Sequence, residues 1–132
     1  MGFTLDRIDH VVLNCRDVEV TAAWYGRVLG MAREEFGPER RVALKFGRQK
    51  LNLRPTGAAG WVTGAVDAPG ALDLCFVTSA APGEVAAHLG ACGVAVVAGP
   101  VPKLGALGPM SSVYCRDPDG NLVEVAAYPA PR

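Results

Sequence analysis

Two stretches of this chain present the same order of elements, and that repetition limits the fold more than any single motif does. Ile8-Asp9-His10-Val11-Val12-Leu13-Asn14 has the β-branched character of a strand and places Ile8, His10, Val12 and Asn14 on one face. Asp17 reads as the N-cap of a helix over 18–29, with Trp24, Val28 and Leu29 as its apolar stripe and Gly30 as its stop. Strands follow over 31–36, 41–46 and 50–54, the last two joined by a turn at Gly47. After a segment over 56–70 rich in Gly, Ala and Pro, the order recurs. A strand is predicted over 71–78, and a helix over 82–92 opened by Pro82 and closed by Gly93. A strand over 94–97, a long loop over 99–110 and a hairpin of 111–115 with 121–128 complete the second half. The hairpin turns on Asp117-Pro118-Asp119-Gly120.

Laying one half over the other sets His10 beside Asp73 and Asn52 beside Glu124. These four polar side chains interrupt the opening and closing strands of the two halves. Glu124 stands out because it breaks an apolar run, and a carboxylate in a buried strand is costly unless it is paired or binds a cation. One imidazole, one or two carboxylates and an amide would suit a divalent metal with open coordination positions, and such a set leans towards Mn²⁺, Fe²⁺ or Mg²⁺. Arg54, Lys103 and Arg116 are possible anion-binding groups, each of which reads equally as a solvated surface charge. His88, mid-helix, is expected to be a solvated or half-buried helix residue.

The 132 residues, half of them hydrophobic, suffice for one compact domain. Lys plus Arg and Asp plus Glu both number 13, and the absence of a basic run argues against nucleic acid or an anionic membrane as partner. The polar Asp6 and Arg7 interrupt any signal-like apolar run, and no stretch approaches membrane-spanning length, so a cytoplasmic protein is expected. Cys15, Cys75, Cys92 and Cys115 form no C-x-x-C pair and are expected as small apolar side chains in a reducing compartment.

The stretches Ile8-Asp-His-Val-Val-Leu13, Trp24-Tyr25 with Val28-Leu29-Gly30-Met31, Phe46-Gly47 with Lys50-Leu-Asn-Leu53, and Arg116-Asp-Pro-Asp-Gly-Asn-Leu-Val-Glu124 together resemble the vicinal oxygen chelate superfamily. This is the glyoxalase, bleomycin-resistance and extradiol dioxygenase family. Leu72-Asp-Leu-Cys75 and Ala91-Cys-Gly-Val94 are similar to segments of its glyoxalase-domain-containing and bacterial virulence-protein-like members. The resemblance implies an α+β fold of two paired βαβββ modules, forming an incomplete barrel in a single domain over 1–132. Module 1 would span about 1–56, the connecting segment 57–70 and module 2 about 71–130. It implies a metal site of His10, Asp73 and Glu124, with Asn52 as a further metal or pocket residue and a divalent ion such as Mn²⁺, Fe²⁺, Ni²⁺ or Zn²⁺. Asn52 falls where glyoxalase I has Glu, and Asp73 where many members have His.

Lys103, Ser111, Ser112, Tyr114 and Arg54 are the substrate-side candidates, since fosfomycin resistance enzymes of this fold look similar around the final turn. The expected activity is lyase, isomerase or thiol-transfer chemistry on a small oxygen-chelating substrate, in a homodimer. A non-catalytic drug-binding protein, with Trp24, Trp61 and Tyr128 lining a groove, is the alternative. A ring-cleaving dioxygenase is the second alternative.

Overall fold

The computed structural model describes residues 2–130. The chain forms two compact units, Met1–Ala68 and Pro69–Arg132, each considered by itself below.

In the first unit the order is β1 (His10–Cys15), α1 (Val18–Leu29), β2 (Ala32–Phe36), β3 (Arg41–Phe46) and β4 (Gln49–Pro55). The sheet runs β1-β4-β3-β2, with β1 parallel to β4 and the other pairs antiparallel. Asp17 starts α1 as the sequence predicts. Its Oδ1 accepts the backbone N–H groups of Glu19 at 2.9 Å and Val20 at 3.2 Å, which otherwise have no partner in a first helical turn. Gly30, at φ 69°, ends the helix in the left-handed conformation. The stripe buried by α1 is Thr21, Ala22, Tyr25 and Val28. Trp24, expected in that stripe, is only half-buried and sets its ring edge against Tyr25 at 4.8 Å between centroids. Leu13, Cys15, Ala43, Leu44, Leu51 and Leu53 are fully buried sheet residues of this unit.

The second unit repeats the scheme with β5 (Asp73–Val77), α2 (Pro82–Ala91), β6 (Ala98–Gly105), β7 (Gly108–Arg116) and β8 (Leu122–Ala127), in the sheet order β5-β8-β7-β6. Again the first strand is parallel to the last. Leu89 of α2 is fully buried, as are Val113, Cys115 and Val123 on the sheet. The turn before β8 satisfies its own polar groups. Asp117 Oδ1 accepts N–H bonds from Asp119 and Asn121, and Oδ2 accepts from Asn121 Nδ2 at 2.7 Å. Asn121 Oδ1 in turn accepts the Leu72 N–H at 2.9 Å, tying the entrance of β5 to this turn.

The two registers coincide. Val12 lies opposite Asn52 in the first sheet, and Cys75 lies opposite Glu124 in the second. Ala43 faces Asn52 from the third strand, as Tyr114 faces Glu124. The correspondence of His10 with Asp73 and of Asn52 with Glu124 is therefore structural as well as sequential.

The sequence reading of 94–110 needs correction. No strand covers 94–97, and most of the expected loop over 99–110 is the hairpin of β6 and β7, with Gly105 opposite Gly108. Pro100 and Pro102 signal a loop because proline cannot donate to a ladder. β6, however, is the edge of its sheet and is irregular between Ala98 and Val101, where missing donors are tolerated. Gly99 permits the approach to β7. It has φ 101°, and a Cβ there would strike the backbone carbonyl oxygen of Ser112. The first strand also begins later than predicted, at His10, leaving Ile8 exposed before it. Among the described residues no helix is long and apolar enough to cross a membrane.

Candidate functional site

Residues directly opposite in a ladder share a face, so the face of the second sheet that carries Glu124 also carries Cys75, Tyr114, Ser112 and Ala126. Asp73, Val77 and Met110 join them by alternation along β5 and β7. Glu124 is buried, at 9% exposure, in the middle of β8. Ser112 Oγ donates to its Oε2 at 2.6 Å. Cys75 and Tyr114 lie directly opposite Glu124 on β5 and β7.

These neighbours hold their protons. Desolvation, then the charge of Glu124 and the hydrogen bond to it, pushes the Cys75 thiol up to about 11. Desolvation, followed by the bond to Glu124 and its charge, raises the Tyr114 hydroxyl to about 12. The charge of Asp73, exposed at the head of β5, adds to both shifts. At neutral pH the Cys75 and Tyr114 groups opposite Glu124 are thus uncharged. Among the described residues no Lys, Arg or His side chain forms an ion pair with it. Lys103 stands further out on β6, with Nζ 5.7 Å from the centroid of the Tyr114 ring.

Cys75 is the member of this cluster that sequence reading missed. It was expected as a small buried apolar residue, yet it is exposed and lies opposite Glu124. Its position two residues beyond Asp73 on the same strand face was the available signal. None of the four cysteines forms a disulfide, and Cys15 and Cys115 are buried as expected. At pH 8 Cys75 should alkylate with iodoacetamide tens of times more slowly than an unhindered thiol, because the raised pKa leaves less thiolate at that pH. The Glu124→Gln variant removes a negative charge and so lowers the Cys75 pKa. Peptide mass spectrometry should therefore show faster labelling in that variant, and equal rates would contradict the contact.

The first unit supplies three of the other candidates. His10 opens β1 and is exposed, and its Nδ1–H donates to Asp9 Oδ2 at 2.9 Å. That bond holds the Asp9 carboxyl below its ordinary range and leaves Nε2 as the nitrogen with a free lone pair. Asn52, the counterpart of Glu124, is 6% exposed, and its Oδ1 is buried without a hydrogen-bond donor. Arg54 serves the connecting segment. Its Nε donates to the Trp61 carbonyl, Nη2 to the Ala58 carbonyl, and Nη1 to both Asn14 Oδ1 and Asp67 Oδ2 at 2.9 Å. Trp61 is itself capped by the Arg41 guanidinium, 3.9 Å from its ring centroid.

The structure therefore brings Ser112 and Tyr114 together with Glu124, sets Asp73 near them and puts Lys103 at the margin, while Arg54 is engaged with protein acceptors. Among the described residues no group of three or more His, Cys, Asp or Glu side chains stands ready to hold a metal ion. The donors taken singly do fit a hard or borderline divalent cation. His10 is oriented by a carboxylate in the manner of a metal-bound imidazole, and among the described residues Asn52 Oδ1 is an unpartnered oxygen and Glu124 a buried carboxylate with no cationic side chain paired to it.

A model of the Glyoxalase/Bleomycin resistance protein/Dioxygenase superfamily matches residues 7–108. Virulence protein STM3117 of Salmonella typhimurium is 41% identical over 124 residues, covering 94% of this chain and 85% of that protein. Glyoxalase domain-containing protein RDO1 of Mycosarcoma maydis is 44% identical over 121 residues, covering 92% of this chain and 68% of that protein. Among solved structures, integron cassette protein VCH_CASS1 from the mobile metagenome of V. cholerae superposes with a TM-score of 0.94 at 39% identity, over 98% of this chain and 100% of that one. Lactoylglutathione lyase from Agrobacterium tumefaciens gives a TM-score of 0.70 at 26% identity, over 93% of this chain and 94% of that one.

Proposed function

Because the chain belongs to the Glyoxalase/Bleomycin resistance protein/Dioxygenase superfamily, we propose that it is a divalent-metal-dependent lyase or isomerase of homodimeric form. Its substrate would be a small molecule presenting adjacent oxygens, and His10, Asp73 and Glu124 would hold the ion. The observation that carries this reading is Glu124, a buried carboxylate that accepts from Ser112 and, among the described residues, has no cationic side chain paired to it. Such a group is retained against its desolvation cost where a cation completes it.

A bound divalent cation would supply Lewis-acid polarisation of a substrate oxygen. The remaining work belongs to the chain. Ser112 fixes one carboxylate oxygen of Glu124, and Asp9 fixes the ring of His10. Tyr114 stays protonated at neutral pH and keeps an uncharged hydroxyl on the strand position opposite Glu124. Asn52 cannot take up a proton as a carboxylate would, so this position provides no general base. A non-catalytic small-molecule-binding protein is the second reading, favoured by the absence of a ready three-residue metal group among the described residues.

Titration of metal-free protein with Mn²⁺, Fe²⁺, Ni²⁺ and Zn²⁺ by calorimetry separates the two. Micromolar binding that weakens on the order of a hundredfold in His10→Ala and in Glu124→Gln supports the enzyme. Binding weaker than millimolar for every ion, on the scale where specific association ends, would leave the second reading.

A further inference from the structure

Helix α2 carries two metal-ligating side chain types that the Glu124 cluster does not use. His88 and Cys92 are four residues apart, a spacing that puts both on one helix face. Cys92 is the C-cap of α2, yet the helical spacing holds through it. Its backbone has φ −82° and ψ 0°, and its N–H donates to the His88 carbonyl at 2.9 Å. Leu89 is fully buried and anchors the helix, which packs on β6, β7 and β8, while His88 is exposed and Cys92 half-buried. His88 Nε2 and Cys92 Sγ lie 3.5 Å apart. Zinc bonds of about 2.3 Å to sulfur and about 2.0–2.1 Å to nitrogen, at the tetrahedral angle, set two such donors about 3.5–3.6 Å apart. The right angle of an octahedral ion, with the same bond lengths, would require about 3.1 Å. In the metal-free protein the separation is that of a thiol–imidazole hydrogen bond, so this contact already holds both donors at the bite of a tetrahedral ion.

We propose that His88 and Cys92 form a two-ligand site for a thiophilic cation of tetrahedral preference, of which Zn²⁺ is the simplest. The site shares no residue with the one proposed around Glu124 and stands independently of it. Thiolate and imidazole together select such ions over Mg²⁺, Ca²⁺ and Mn²⁺, which favour oxygen. The ion takes the Nε2 lone pair of His88, which leaves the ring proton on Nδ1, and the Cys92 thiol releases its proton to solvent. The place of Cys92 at the end of α2 adds to the attraction, because the last carbonyls of a helix carry partial negative charge. Among the described residues no group of three or more His, Cys, Asp or Glu side chains forms, so the other coordination positions are left to water. Such a site takes up and yields its ion, unlike a closed structural centre with four protein ligands.

The probe is Zn²⁺, and the readout is alkylation of Cys92 by iodoacetamide, followed by peptide mass spectrometry, since a metal-bound sulfur is shielded from the reagent. In the wild type, Zn²⁺ at about ten times its dissociation constant should slow the labelling of Cys92 about tenfold, and chelator should restore it. His88→Ala should lose nearly all of that protection at the same Zn²⁺ concentration, and because His88 is exposed the variant keeps the packed core intact. Each variant is compared with itself in chelator, which removes any effect of the imidazole on the metal-free thiol. Glu124→Gln should keep the protection of the wild type. Co²⁺ in place of Zn²⁺ should give a sulfur-to-metal charge-transfer band that Glu124→Gln retains and Cys92→Ser loses. An unchanged labelling rate in the wild type, or protection only above about 1 mM Zn²⁺, where specific association ends, overturns the proposal. Equal protection in His88→Ala overturns it too, since the thiol alone would then hold the ion. Protection lost in Glu124→Gln overturns it by assigning the ion to the other site.

Discussion

The Glu124→Gln variant is expected to melt at a higher temperature than the wild type when both are free of metal, and to have lost its response to divalent cations. In the wild type Glu124 is a carboxylate in a buried strand position that accepts from Ser112 and, among the described residues, has no cationic side chain paired to it. An amide of the same shape removes the charge and retains an acceptor for Ser112. The gain should be about 1–2 kcal/mol, from the relief of desolvation. That corresponds to a rise of roughly 3–8 °C for a chain of this size. Adding Mn²⁺ at about a hundred times its dissociation constant should then stabilise the wild type by about 2.7 kcal/mol through mass action, and the variant not at all. Differential scanning calorimetry in chelator and in Mn²⁺ gives all four values. A variant that melts lower in chelator, yet still responds to Mn²⁺, would remove Glu124 from the site.

Arg54→Ala should produce the opposite kind of change, a large loss of stability. The guanidinium is 5% exposed and joins β4 to Asn14 and to the segment over 56–68 through four acceptors. Truncation leaves two carbonyls and an amide oxygen short of donors. The Asp67 carboxylate is 41% exposed, so water recovers much of that part. The net cost should be about 3 kcal/mol, read from the urea midpoint of unfolding. Arg54→Lys should recover little of it, because an ammonium on a flexible stem cannot reproduce the planar fork. The bond from Arg54, ahead of that from the Gly57 N–H, depresses the Asp67 pKa in the folded state. Its stabilisation is therefore full above the ordinary carboxylate range and lost as the pH falls through the depressed folded value. The difference between wild type and Arg54→Ala should narrow with acidification over that interval. A penalty that does not vary with pH would mean that the ion pair contributes nothing.

Much of this architecture was legible because it is written in local chemistry. Asp17 and Gly30 bound α1 in the structure as they do in the sequence, since a cap residue declares itself by type and position. The alignment of Asn52 with Glu124 survives as an identity of register. What escaped depended on neighbours distant in the chain. Pro100 and Pro102 argue for a loop until β6 is known to be an edge strand. Cys75 looked like core packing until the pairing of β5 with β8 put it opposite Glu124. Arg54 reads from sequence as a free cation, and only the fold of the connecting segment supplies the acceptors that occupy it.

The shared register of the two sheets also bears on how such a chain can change over generations. A duplicated unit that preserves its ladder keeps the address of every side chain while releasing the occupant. Positions 52 and 124 are one address holding an amide in one copy and a carboxylate in the other. A single substitution at either can thus alter the charge at its own strand position without disturbing a backbone bond. Lineages built on this plan are free to trade one chemistry for another by small steps, each of which leaves a folded intermediate exposed to selection.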